Sequence, residues 1–431
     1  MFKAFLLSVM VLFLGAEEAL LDDLKLPQKA RFYLPKRVLP IPPRSKLKAS
    51  YLQQWYAPWN GMEVMRNLEE VFWMQSLFKA RGFGADLKPN NPKALQTLQE
   101  SMDMGHYPSV AIKAIVIRDA DVRAAPTPKP YYLHPSPDAF DRWQNSMIFA
   151  GTPVLITHYN TDKTYAHIQS SFVYGWVKVS DLAFIAPHMI KKLMRVKHYL
   201  TPLQDKIPLY TRAKKMLGYI HMGEILAKVP GKAHQVYTYD RDIKGFVKLV
   251  PVSIDEHLFT SFPRPLKASV IAAVIDTMLG QKYGWGGELQ NRDCSAFTRD
   301  SFASFGILLP RNSLAQVRYA DNMVDLSHMP AKEKEAYIIK HATPFATILW
   351  LKGHIMLYLG AHHRRAIVAH NIWAISLSSQ HNQQLYNIGK AVITTLELGK
   401  EKGGDSKTRL LIDRVEAMSD LYDYSLKLAA H

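Results

Sequence analysis

One cysteine stands in the whole chain, Cys294, within Arg292-Asp293-Cys294-Ser295; among the histidines that follow it are His354 in Gly353-His354-Ile355 and His370 in Ala369-His370-Asn371. A thiol, a base to take its proton and a group to orient that base are what acyl transfer through a covalent intermediate requires, so the set points to a cysteine hydrolase, foremost a peptidase. After the cysteine, Phe297, Ser301, Phe302 and Phe305 fall on one arc and Gly306 closes the pattern, which predicts a helix starting at or near Cys294. The unpaired amides and positive dipole end of such a helix favour a thiolate over a thiol. Residues 353–360 and 365–370 are strand-like runs joined by a short polar loop through His362, His363 and Arg364, the pattern of an antiparallel hairpin turning near residue 362. On that register His354 and His370 lie almost opposite each other, about 5 Å apart across the strands, so that one ring can fix the other. A free cysteine or a strand histidine alone is usually structural; the three together favour catalysis.

The elements that must position these residues occupy the last third of a chain of 431 residues, long enough for roughly three domains. Residues 1–16 have a lysine, an apolar run from Ala4 to Leu14 and Gly15-Ala16 before Glu17-Glu18, the plan of a secretory signal peptide. No later stretch is apolar for long enough to span a bilayer, so the sequence predicts a soluble exported protein of the periplasm or cell envelope. A formal charge of +17 favours anionic partners such as wall polymers, and export argues against nucleic acid. No His-Glu-x-x-His helix and no cysteine cluster is present, so neither a metal nor another cofactor is expected. Gly284-Trp285-Gly286-Gly287 lacks the Lys-Ser/Thr ending of a phosphate loop and reads as a tight turn beside the site.

Ahead of the site, residues 17–110 form an N-terminal region: a Lys-, Arg- and Pro-rich lead-in to about residue 48, expected to be extended and poorly packed, then helices whose aromatic stripe (Trp55, Trp59, Phe72) reads as core. Short β-rich runs with turn signals fill 111–190 and recur more weakly over 191–262, which suggests two small tandem barrels. Pro263 and Pro265 mark a linker so short that the preceding β-rich region is expected to pack against the catalytic groove and wall it. The catalytic domain is read as 266–395. Residues 396–431 are read as a flexible linker and a terminal amphipathic helix carrying Leu410, Leu411, Val415, Met418, Leu421 and Tyr422 on one face.

The run Tyr283-Gly284-Trp285-Gly286-Gly287, Arg292-Asp293-Cys294-Ser295, Leu309-Pro310-Arg311-Asn312-Ser313 with Gln316, Gly353-His354-Ile355 and His370-Asn371-Ile372-Trp373 resembles the NlpC-type cysteine peptidases. It is most similar to members with an N-terminal stabilising domain and two bacterial SH3-like domains ahead of the catalytic domain. The resemblance implies a multidomain fold: a helical N-terminal region, two SH3-like β-barrels and an α+β papain-like catalytic domain. It also implies that Cys294 is the nucleophile, His354 the base and acid, and His370 the orienting member. The Cys294 backbone N–H and the Tyr283 hydroxyl would stabilise the oxyanion, and Asp293, Ser295 and Ser313 would line the groove. Where related peptidases that bind a free amine carry Asp, this chain has Asn312, which supplies no charge. The implied substrate is the peptidoglycan stem peptide, cut between D-glutamate and the diamino acid. A non-hydrolytic wall-binding protein and a thiol acyltransferase are the alternatives on the same residues.

Overall fold

Apolar residues alternate along the strands of the C-terminal third and give one sheet two buried faces. In the computed structural model, which describes residues 21–136, 140–211, 213–378, 383–403 and 409–430, this sheet has six antiparallel strands. Their spatial order is Val324–Asp325, Val415–Asp420, Thr347–Leu351, His354–His362, Arg365–Ser378 and Gln383–Thr395. Ile355, Leu357, Ile367, Ala369 and Ile393 face the helices Ala268–Met278 and Cys294–Ala303. Met356, Tyr358, Val368 and Val392 face the other way, towards Ile338 of helix Ala331–His341. The period-two alternation of side chains along a strand is what divides these residues between two cores.

The C-terminal segment corrects the sequence reading. Residues 411–414 are a single helical turn, Val415–Asp420 is a strand, and only Leu421–Ala430 is the terminal helix. That strand lies between two others inside the sheet, with Leu349 opposite Met418 and Trp350 opposite Ala417. Apolar residues at helix-like spacing were here two short helices flanking a strand, which lies inside the sheet and is buried at Ala417, Met418 and Ser419 in succession, so no alternation marked it. Val415–Asp420 is therefore integral to the sheet, while the expected linker lies partly outside the described residues.

The lead-in is corrected as well. Residues 21–43 hold two short 3₁₀ turns and lie along the sheet domain. The Ala30 amide donates to Asp276 (2.6 Å), the Gln28 side chain pairs with the backbone of Ile393 in both directions (2.8 Å each), and Asp23 accepts from the amide and hydroxyl of Thr395. Prolines exclude regular helix, but they leave carbonyls and side chains free to bond a neighbour, which is how this strap is held.

Helices Arg44–Trp55, Leu68–Val71, Gln75–Lys79 and Pro92–Ser101 follow. The first β module, Ile112–Phe184, is a seven-stranded antiparallel sheet with Gln144–Ile148 at one edge and Leu182–Phe184 at the other. Residues 199–261 form three small sheets around Leu200, Ile207, Leu209, Ile220, Val236 and Val252. No helix among the described residues is long and apolar enough to cross a membrane. The stretch read as a signal peptide lies outside the described residues.

Both β modules and the sheet domain meet at one helix. All ten residues of Cys294–Ala303 are buried, including Thr298, Arg299, Asp300 and Ser301. A helix buried on every side must satisfy its polar groups internally. Thr298 and Ser301 return their hydroxyls to the carbonyls of Cys294 and Phe297, and Arg299 bonds Asp300 while its guanidinium lies over the Phe172 ring (4.7 Å). From the second β module, Gly223 passes so close that a Cβ there would sit 2.9 Å from the Asp300 Cα.

Candidate active site

Asp293 fixes where the thiol stands. As the helix N-cap it accepts the Ala296 amide (2.9 Å) on one oxygen and the Gly286 amide (3.1 Å) on the other, leaving Cys294 as the first helical residue. Arg311 closes the cap: it donates to Asp293 (2.5 Å), to the Ser295 hydroxyl (2.6 Å) and to Ser146 of the first β module (3.0 Å). Arg292 does the same on the other side, binding Asp300 (2.7 Å) and holding Asp205 of the second module with two bonds of 2.8 Å. Two buried arginines flanking the cysteine thus tie it to two different modules.

The histidines are linked by hydrogen bonds, though not by the register expected. A bulge between Tyr358 and Gly360 and a two-residue turn at His363-Arg364, both at positive φ, set Leu357 opposite Ala369. His354 is therefore diagonal to His370, not facing it. The rings still meet: His354 Nε2 lies 2.8 Å from His370 Nδ1, and His370 Nε2 lies 3.1 Å from Thr394 Oγ1. The Thr394 hydroxyl donates to the Thr395 carbonyl (2.8 Å), so it must accept from His370 Nε2–H. The neutral His370 then has a lone pair at Nδ1, which takes the proton of His354 Nε2–H. His354 is left with Nδ1 as its basic nitrogen. One hydroxyl thereby assigns the tautomers of both rings.

Electrostatics keep this set neutral at rest, contrary to the thiolate expected from the helix end. Burial, reinforced by Asp293, pushes the Cys294 thiol up to about 12, and the amides of Ile355 and Ser295 and the Arg311 charge offset only part of this. Burial and the cation of Arg414 lower His354 to about 3, and burial together with His354 holds His370 well below the usual histidine range. That Ile355 turns its amide to the sulfur brings the residue after His354 against the thiol. Tyr283 is also held far above its ordinary value by burial, Cys294 and Asp293, so its hydroxyl stays protonated and able to donate.

Tyr283, Asp293, Cys294, Ser295, Asn312 and Ser313 line one cleft of about 430 Å³, with Gly353 on its rim and Gln144, Asn145 and Tyr174 of the first β module as the facing wall. Neither histidine lines the cleft: His354, next to Gly353 in the chain, is half-buried, and His370 is fully buried. Asp293 and Ser295 spend their polar atoms on Arg311 and the helix cap, so they stiffen the groove more than they face it. Asn312 caps helix Ser313–Tyr319 by accepting the amides of Leu314 (2.9 Å) and Ala315 (3.2 Å), and Ser313 accepts from the Trp350 indole (3.3 Å). The acceptor of Asn312 is thus already used. Arg292 and Arg311 stood inside the motifs, but nothing in their neighbours marked them as buried ties to other modules. Thr394, Arg414 and the facing wall carried no local signal. Among the described residues no cluster of His, Cys, Asp and Glu could hold a metal ion.

Fold and cleft define a multidomain α/β protein in which a β module walls a thiol-bearing groove. Comparison with known proteins agrees: residues 12–107 match the N-terminal stabilising domain of NlpC/P60 proteins, 130–178 an SH3 domain of the SH3b1 type, and 280–389 the NlpC/P60 family. Together the three matches support an NlpC-type peptidase with an SH3 domain, and the match at residues 280–389 supports a cysteine hydrolase. A solved structure described as a novel NlpC/P60 endopeptidase from Photobacterium damselae subsp. piscicida shares the fold with a TM-score of 0.80 at 22% identity, over 91% of this chain and 97% of that one. An NlpC/P60 family protein from Bacillus cereus aligns over 72% of this chain and 99% of its own at 14% identity and a TM-score of 0.46. No curated protein matches the chain.

Proposed function

We propose that the protein is an exported peptidoglycan endopeptidase that cuts stem peptides between D-glutamate and the diamino acid, with Cys294 as nucleophile, His354 as base and acid, and His370 as the residue that orients it. The observation that carries this reading is the hydrogen-bonded line Thr394, His370, His354, with the amide of the next residue, Ile355, turned to the thiol of the first helical residue, Cys294, in a walled cleft. The thiol proton passes to His354 Nδ1 as sulfur attacks the amide carbonyl, and the resulting imidazolium keeps its Nε2–H on His370. The developing oxyanion meets the Cys294 backbone N–H and the Tyr283 hydroxyl. Collapse breaks the C–N bond, His354 returns the proton to the leaving amine, and water hydrolyses the thioester. A resting pair of thiol and neutral imidazole fits proton transfer concerted with attack. Residues 191–262 are kept as a second SH3-like module. Net charge of +17 suits an anionic wall polymer.

Mass spectrometry of purified muropeptides after incubation tests the reading. The disaccharide still carrying L-alanyl-D-glutamate and a free peptide beginning at the diamino acid are the expected products. Intact muropeptide would leave a binding protein, and muropeptide joined to a new acceptor would make it an acyltransferase.

A further inference from the structure

The charges lining the cleft are Arg142, Asp293 and Arg311, and the last two are paired with each other. Arg142 comes from the first β module, beside strand Gln144–Ile148, and lies over the Trp285 indole with its guanidinium carbon 5.1 Å from the ring centroid. Its neighbour Asp141 cannot neutralise it: that carboxylate accepts from Arg123 (2.7 Å) and from the amides of Tyr131 and Trp143 (2.9 Å each). Among the described residues Arg142 makes no ion pair, and its Nε is buried without a hydrogen-bond partner. A buried guanidinium donor left unpaired is costly, and the cation–π contact orients the fork without using its N–H groups.

We infer that Arg142 is a specificity-determining residue that binds a free carboxylate of the substrate through its guanidinium, so that the first β module selects for acidic peptides at the cleft. Arginine suits this because its planar fork matches a carboxylate with two parallel donors, and its position over an aromatic face fixes the fork before the ligand arrives. A D-glutamate linked through its side chain keeps its α-carboxylate beside the scissile bond, which supplies such a group. The inference rests on the stem-peptide reading above.

Two soluble peptides test it: L-alanyl-γ-D-glutamyl-diaminopimelate and its counterpart in which the D-glutamate α-carboxylate is an amide. On the full chain, kcat/KM should favour the acid over the amide by about tenfold or more. Arg142→Met should bring the two within about twofold by raising KM for the acid alone, and Arg142→Lys should restore part of the preference. Dissociation constants of both peptides for the Cys294→Ala protein and for Cys294→Ala/Arg142→Met, measured by calorimetry, give the same comparison without turnover. Absence of hydrolysis in every protein would reject the peptidase reading and leave the binding comparison to decide on Arg142. An Arg142→Met protein of unchanged circular dichroism that keeps the full acid preference, or that weakens both peptides equally, would overturn the inference.

Discussion

Cys294 and His354 at rest are a thiol and a neutral imidazole, and that has a direct chemical signature. With the thiol pushed up to about 12, alkylation by iodoacetamide should climb about tenfold per pH unit through pH 10 with no plateau, where an ordinary cysteine levels off near 9.5. A rate already flat at pH 6 would mean a preformed thiolate. Thr394 makes the second residue-scale test. In Thr394→Val the Nε2–H of His370 loses its acceptor, and the ring gains by turning its proton to Nδ1, which forces His354 into the tautomer that cannot take the thiol proton. We expect Thr394→Val to lower kcat about 100-fold with KM little changed, and Thr394→Ser to restore most of it; nitrogen chemical shifts of the two rings should report the tautomer change. Equal losses in Val and Ser would make Thr394 a packing residue only. His370→Gln, which can still accept from His354, should retain partial activity for the same reason.

At the scale of elements, the turn Trp285-Gly286-Gly287 joins the first β module to the helix cap. Gly286 has φ of 58°, and a Cβ there would meet the Gln144 carbonyl at 2.6 Å, while its amide bonds Asp293. Gly286→Ala should therefore cost about 1–3 kcal/mol of stability and lower activity out of proportion, because the cap of the Cys294 helix moves with the wall of the cleft. Thermal melts beside activity measurements check this, and a variant with wild-type melting and rate would show the turn to be tolerant. The sequence made the local parts of this region legible: the helix at Cys294, the hairpin carrying the histidines and the tight glycine turn all follow from spacing and composition. It left out what depends on other parts of the chain. The bulge after Tyr358 is marked only by Gly360, the strand Val415–Asp420 is disguised by helix-like spacing, and the strap at 21–43 is held by side chains of Asp23, Gln28 and Asp276 whose partners are distant in sequence.

For the molecule as a whole, Arg292 and Arg311 make catalysis depend on modules distant in sequence. Burial alone would raise Asp205, but Arg292 and the Met222 amide hold it well below the usual carboxylate range. A folded-state value below the unfolded one contributes stability that is present above about pH 4 and is lost as pH falls through the folded value, so denaturation midpoints should drop below pH 4. Arg292→Met leaves Asp205 buried without its cation and Asp300 with Arg299 alone, and should cost about 3–5 kcal/mol at pH 7, measured by urea unfolding; a loss under 1 kcal/mol would show that the modules are not coupled through this pair. Hydrolysis depends most directly on the Cys294 thiol. Single-turnover hydrolysis of one purified muropeptide by the full chain and by its Cys294→Ala variant, followed by mass spectrometry, should show cleavage at the D-glutamyl bond by the first and less than a thousandth of that rate by the second at unchanged folding. A Cys294→Ala protein that kept a tenth of the rate would contradict it.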